Sequence, residues 1–273
     1  MHNTKTRKHK ILLLAAAAGT LAVGASSVAS ATTEPPPPDA SAAPDVSAPP
    51  VTAGEPSSPE AAAFCEAELA MEAAFGSEDP ALIGPAVEAV SAAAPADVAP
   101  TVEAALAAEE GSPEFDAAYG ELIAWMQENC GFAEVNVTLS EYSFGGIPAE
   151  LPAGGAIVSA LNTGEEVHEI VVFRINDDVT MTVEELLALP EEESFPNLMF
   201  AGAGFAVPGE TGTAVLNLTP GRYVALCFLP EGLTADVFEQ AGGQIGPDVS
   251  FPPDAELGPP HFTHGMVQEF TVA

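Results

Sequence analysis

Two hydrophobic periods divide this chain. Between residues 60 and 131 the apolar positions recur at helical spacing. Val98, Val102 and Leu106 fall at i, i+4 and i+8, and Phe115, Tyr119, Leu122, Ile123 and Met126 share one face. Asp79-Pro80 and Ser112-Pro113 each place a capping side chain before a proline at a first helical position. Three or four short helices are predicted, separated at Gly76, Pro80, Pro95, Ser112 and Pro113, with Pro85 and Pro100 arguing for short or kinked pieces. From Val135 the period changes to two. "VNVTLSEYSF" alternates apolar and polar residues, and "AIVSALNTG", "HEIVVFRI", "TAVLNLTPGRYVALCFL" and "GMVQEFTVA" follow as strand candidates rich in Val, Ile, Leu and Phe. One short helix, "TVEELLAL", interrupts them. Residues 231–258 are rich in Gly, Pro and Asp and read as a long loop, with a helical turn near Asp236 to Gln240. The pattern predicts a β-sandwich over 135–273 behind a small helical bundle over 60–131. There is no internal repeat.

The N-terminus follows neither period. "MHNTKTRKHK" is basic, "ILLLAAAAGTLAVGA" is apolar, and Ala29-Ser30-Ala31 is a small-residue cleavage signal, so residues 1–31 read as a signal peptide cut after Ala31. The rival reading is an uncleaved membrane anchor, because residues 11–31 carry no charge. Either way the chain is expected to be exported, to a periplasmic, cell-surface or secreted position. Residues 32–59 hold nine prolines and no aromatic residue, the composition of a disordered, partly polyproline-II linker.

Charge sharpens the picture once the leader is set aside. Lys5, Arg7, Lys8 and Lys10 leave with it, so only Arg174 and Arg222 face all 40 acidic residues. Such a surface repels nucleic acid and anionic membrane. It suits solubility outside the cell, or a basic partner protein.

Three cysteines remain to be placed in an oxidising compartment, where pairing is the rule. Cys65 lies in the first predicted helix and Cys130 at the end of the last, so a bridge between them would staple the bundle. Cys227 is then left alone in the strand-rich half, either as a buried core residue or as a metal thiolate. His168, His261 and His264, the histidines outside the leader, lie in that same half. Singly, His168 reads as a structural histidine at a strand start, His264 as an exposed turn residue and Met266 as core packing. Their joint occurrence with Cys227 points to metal chemistry.

These residues resemble the cupredoxin family, the blue copper proteins related to plastocyanin and azurin. "NTGEEVHEI" matches a histidine after an N-x-G turn, "PGRYVALCF" a cysteine ending a G-x-Y-x-x-x-C strand, and "HFTHGMVQEFTV" the H-x-x-x-x-M spacing before a last strand. The match covers residues 135–273. It implies an all-β Greek-key sandwich and one type 1 copper held by His168, Cys227, His261 and Met266, with a role as single-electron carrier or copper-holding protein rather than enzyme. Two imidazoles, a thiolate and a weak axial thioether suit that ion. His264, two residues before Met266, is the alternative ligand, and zinc accepts the same His and Cys donors. The chain departs from the family in placing 33 residues between Cys227 and His261, so 231–258 reads as an insertion able to lid the site.

Other chemistry finds no support. "AGGAIVSA" and "FAGAGFAV" lack the strand-then-helix context of a phosphate loop. No nucleophile elbow, zinc-protease helix or H-x-H pair occurs, and no small-molecule substrate is indicated. Asn136-Val137-Thr138 and Asn217-Leu218-Thr219 match the glycosylation sequon within predicted strands. The competing readings are a metal-free extracellular binding or structural module and a metal-storage or sensing protein without redox activity.

Overall fold

The computed structural model describes residues 51–77, 79–109, 112–243 and 249–273. The expected signal peptide, its expected cleavage after Ala31 and most of the proline-rich linker lie outside the described residues, as does part of the 231–258 loop. Among the described residues no helix is long and apolar enough to cross a membrane.

Among the described residues four helices come first: α1 (Pro59–Gly76), α2 (Pro80–Ala93), α3 (Ala99–Ala107) and α4 (Pro113–Asn129). Their starts follow from side-chain caps. The Ser58 hydroxyl accepts from the Ala61 N–H at 3.0 Å, Asp79 from Ala81 at 2.9 Å and Ser112 from Phe115 at 3.2 Å, each with a proline in the first turn. Pro85, which argued for a short or kinked piece, lies inside a continuous α2. Residue 85 is exposed, so the Ala81 carbonyl that loses its partner can be hydrated. The Cys65–Cys130 disulfide ties the second turn of α1 to the end of α4, with Cα atoms 5.6 Å apart. Residues ahead of α1, inside the predicted linker, are tethered there: the Gly54 N–H donates to Gly131 O at 2.7 Å, and Ser57 Oγ to Asn129 Oδ1 at 2.8 Å.

Nine strands follow among the described residues: β1 (Ala133–Ser140), β2 (Ser143–Gly145), β3 (Glu150–Leu151), β4 (Gly154–Asn162), β5 (His168–Ile175), β6 (Leu198–Ala206), β7 (Thr211–Leu218), β8 (Gly221–Leu226) and β9 (Val267–Val272). One sheet runs β2-β1-β4-β7 and the other β3-β9-β8-β5-β6. The β1–β4 and β3–β9 pairs are parallel and the rest antiparallel.

Burial explains which strands alternate in sequence. β1 turns Ala133, Val135, Val137 and Leu139 inward and polar neighbours outward. β4 and β5 are continuous apolar runs because both of their faces are covered. In β4, Ala156, Val158 and Ala160 enter the space between the sheets. Ile157 points the other way and, with Val215 of β7, packs under Phe64, Val102, Ile123 and Met126 of the helices. In β5, Ile170 and Val172 face the central core. Val171, Phe173 and Ile175 pack outward, under α5 (Val183–Leu187), α6 (Glu191–Ser194) and the 3-10 helix Phe195–Asn197. A layer of helices therefore covers the outer face of each sheet.

Two sequence expectations need correction. "TAVLNLTPGRYVALCFL" is two strands in different sheets, divided at Pro220-Gly221. Tyr223 closes that turn by donating to Thr219 O at 2.8 Å and accepting from the Thr219 N–H at 2.9 Å. "FAGAGFAV", absent from the strand candidates, supplies β6, the edge partner of the His168 strand.

Candidate metal centre

The local sequence around His168 fixes its position. Asn162 is fully buried at the end of β4, where its Nδ2 donates to the carbonyls of Glu166 at 2.7 Å and Ala206 at 2.8 Å. Its Oδ1 accepts from the Gly164 N–H at 2.9 Å. The Asn162-Thr163-Gly164 turn is thereby held against β6, and His168 emerges at the first position of β5 with no exposure.

Cys227 follows directly on β8. Its carbonyl accepts from the Phe262 N–H at 2.9 Å, and the His261 N–H donates to Leu229 O at 2.9 Å. The long loop between them returns to its starting point, since the Glu231 N–H donates to Pro259 O at 3.0 Å and the Gly258 N–H to Glu231 O at 2.9 Å. Thirty-three intervening residues are tolerated because closure entropy grows slowly with length and both ends are paired. A 3-10 helix, His261–His264, ends at Gly265, whose φ of 106° turns the chain into Met266 and β9.

These elements bring three of the proposed ligands together. His168 Nδ1 lies 3.1 Å from His261 Nδ1, and Cys227 Sγ lies 3.4 Å from His261 Nδ1. The ligand atoms of all three residues fall within 4.8 Å of one another, and all three residues are buried. Met266 is fully buried in the same core as Cys227, and its N–H donates to His261 O at 3.2 Å. His264 is not brought to the group. It is exposed, its ring lies 4.7 Å from that of Tyr142, and its Nε2 lies 3.5 Å from Glu231 Oε2.

The donor set fits an ion. Distances of about 2.0 Å to nitrogen and about 2.3 Å to sulfur put the ligand atoms of a trigonal or tetrahedral centre roughly 3–4 Å apart. The outer nitrogens agree. His261 Nε2 lies 2.9 Å from Glu166 Oε2, so its proton sits there and Nδ1 carries a lone pair. In the absence of an ion, that lone pair accepts from His168 Nδ1–H at 3.1 Å or from the Cys227 thiol at 3.4 Å. Where His168 Nδ1 donates, His168 Nε2 is left a buried acceptor with no hydrogen-bond partner, 3.5 Å from another acceptor, Glu141 Oε1. With a cation between the two Nδ1 atoms, both imidazoles carry their proton on Nε2 and point it at a carboxylate.

The electrostatics favour a neutral His168 imidazole and a thiol that ionises only against a cation. Burial, and then the nearby His261, push His168 below its ordinary value, although Glu141 pulls the other way. Burial, and then the Glu169 carboxylate, push the Cys227 thiol far above its ordinary value. The Glu169 N–H donates to Cys227 Sγ at 3.4 Å, and burial pushes the Glu169 carboxyl up to about 7 against the pull of the Phe228 N–H. Glu141 is partly desolvated, yet N–H groups of Glu165, Glu141 and Glu166 and the His168 ring hold it below the usual carboxylate range.

Three further residues complete the site. Glu141, Glu166 and Tyr142 surround the imidazoles. Tyr142, at φ 61°, lays its ring 5.4 Å from that of His261. Glu166 falls two residues before His168 in the matched turn; nothing in the sequence distinguishes Glu141 or Tyr142. The start of the predicted insertion closes over the group. The Gly232 N–H donates to Glu166 Oε2 at 2.9 Å, and the Val167 N–H to Leu233 O at 2.8 Å. Gly232, at φ 84°, is required there because a Cβ would meet Glu256 O at 2.5 Å.

No protein-family model matches this chain, and no curated protein does. Among solved structures it is similar to the sodium dithionite-reduced auracyanin of the photosynthetic bacterium Roseiflexus castenholzii, at 21% identity and a TM-score of 0.30, over 51% of this chain and 96% of that one. Auracyanin A, a "blue" copper protein of the green thermophilic photosynthetic bacterium Chloroflexus aurantiacus, is similar at 14% identity and a TM-score of 0.27, over 51% of this chain and 99% of that one. A multi-copper oxidase of Pseudomonas thermotolerans is similar at 16% identity and a TM-score of 0.25, over 52% of this chain and 30% of that one. What the chain has in hand is a β-rich half with a buried His168–Cys227–His261 group, behind a disulfide-linked helical region.

Proposed function

We propose that this chain is an exported protein whose β-rich half, a cupredoxin-like Greek-key sandwich, holds one type 1 copper and serves as a single-electron carrier or copper-holding protein. His168, Cys227, His261 and Met266 are its ligands. The observation that carries the reading is the convergence of two inward-facing Nδ1 atoms and one thiol sulfur in a buried group, each on a different element. Two imidazoles, a thiolate and a thioether form a mixed hard and soft set, which suits copper in both of its oxidation states. Bound there, copper would supply a one-electron couple.

The protein's part is to hold the ligands still and keep water out. His168 is fixed by the Asn162 turn, Cys227 by the end of β8, and His261 and Met266 by the 3-10 helix and Gly265. No ligand side chain is exposed. An acidic surface with two arginines outside the leader suits a basic redox partner.

Adding Cu(II) to the purified chain should produce an intense thiolate-to-copper visible band. Cys227→Ser should abolish it, and Cys65→Ser should leave it. A colourless wild-type protein after loading would overturn the reading in favour of a metal-free module. A bound but colourless zinc ion would favour storage without redox activity.

A further inference from the structure

Both ligand imidazoles turn their outer nitrogen toward a carboxylate. For His261 this is Glu166, at 2.9 Å from Nε2; for His168 it is Glu141, at 3.5 Å. Neither carboxylate is loose. Glu166 Oε2 also accepts from the Gly232 N–H at 2.9 Å, and the Glu166 side chain is 17% exposed. Glu141 Oε1 accepts from the backbone N–H groups of Glu165 and Glu166. The carboxylate that anchors one histidine is thus tied to the backbone of the residue that anchors the other.

Resting on the proposed copper site, we propose that Glu141 and Glu166 are positioning residues that turn both Nδ1 atoms inward and bias the site toward the divalent state of its ion. The charges carry the second half. A thiolate and two carboxylates surround two neutral imidazoles, in a place where the histidines and cysteine have no contact with solvent. A divalent ion leaves this group with one uncompensated negative charge and a monovalent ion leaves it with two, and burial makes each such charge more costly. A carboxylate accepting from Nε2 also makes the imidazole a stronger donor, which favours the more highly charged ion. The two states differ by one electron, exchanged with a redox partner or an electrode, with no bond made or broken in the protein.

Four variants of the full chain test this. Glu166→Gln keeps an acceptor for His261 and removes the charge. Glu166→Ala removes both. Glu141→Gln removes the more distant charge. Glu88→Gln, exposed on α2, serves as a control for net charge. In voltammetry of the copper-loaded proteins, Glu166→Gln should shift the ratio of Cu(II) to Cu(I) affinity at least tenfold toward Cu(I), about 59 mV upward for one electron. Glu141→Gln should shift it the same way by less, and Glu88→Gln should leave it in place. In the metal-free proteins, nitrogen-15 shifts should place the His261 proton on Nε2 in wild type and Glu166→Gln, and on both nitrogens in Glu166→Ala. A Glu166→Gln potential equal to that of Glu88→Gln overturns the bias. A wild-type His261 proton on Nδ1 overturns the orienting role. Wild-type protein that takes up copper in neither state removes the proposed function and the bias with it, whereas the nitrogen shifts still decide orientation.

Discussion

His261 and His264 are three residues apart, and the structure separates their roles completely. One is buried with Nδ1 facing a thiol; the other is exposed and leans on Tyr142. His264→Ala should therefore bind Cu(II) within twofold of wild type. His261→Ala should lose more than about 100-fold, beyond what losing an outer partner costs. Competition against a chromophoric chelator measures both. This distinction was legible in sequence, because the H-x-x-x-x-M spacing selects His261 and a five-residue step fits one turn plus Gly265. The carboxylates behind the imidazoles were not legible. Glu141 and Glu166 are two among 40 acidic residues, and what singles them out is the fold bringing the β1–β2 turn beside the β4–β5 turn. Local sequence carries no trace of a contact made 24 residues away.

At the scale of elements, α2 and α4 were legible from their caps and β1 from its alternation, whereas β6 was hidden by its composition. Gly202 and Gly204 are small because β7 crosses closely there: a Cβ would meet Val215 O at 2.5 Å at the first and Thr213 O at 2.6 Å at the second. A strand that must admit a neighbouring backbone reads as a glycine-rich loop. The turn between β7 and β8 was likewise hidden, inside an apolar run, and it rests on Tyr223. Tyr223→Phe leaves the Thr219 carbonyl and N–H without their partner, and should cost about 1–3 kcal/mol in denaturant unfolding with an unchanged visible band. A second prediction concerns α1. Glu68 is 3% exposed, its Oε1 has no hydrogen-bond partner, and burial raises its pKa from 4.5 to about 7. A raised acid opposes folding once the unfolded chain can ionise it. The cost is absent below about 4.5, grows as pH rises toward about 7, and is then roughly 3 kcal/mol. Glu72, one turn on, is raised to about 8 by burial and then by Glu68, so the penalty extends the same way. Thermal midpoints should fall between pH 5 and pH 8 in wild type and fall less in Glu68→Gln; equal slopes would contradict this.

On the scale of the whole molecule, the helical layer is joined to the sandwich by side chains that sequence alone assigned to the sandwich. Ile157 and Val215 are the outward residues of β4 and of its edge neighbour β7, and they complete the core of the helices. Asn217 Nδ2 adds a hydrogen bond to Leu69 O at 3.0 Å. In sequence these positions look like ordinary members of apolar strands, since periodicity reports that both faces are buried but not what covers them. A shared core implies shared unfolding. The Cys65–Cys130 bridge closes a separation of 65 residues, for which the chain-entropy account gives about 4 kcal/mol. Were the helices only a spacer, losing that bridge in Cys65→Ser/Cys130→Ser would loosen them and leave the copper site unmoved. With Phe64, Val102 and Met126 seated on Ile157 and Val215, the loss should instead lower the melting of the helical circular dichroism and of the visible band together, by about 10 °C for a chain of this size. The proposed metal ligands lie on the other side of β4 and β7 from the bridge, so the band's position at 25 °C should not change. A band that melts at the wild-type temperature while the helical signal drops would show two independent units, and the outward residues of β4 and β7 would then be a contact without coupling.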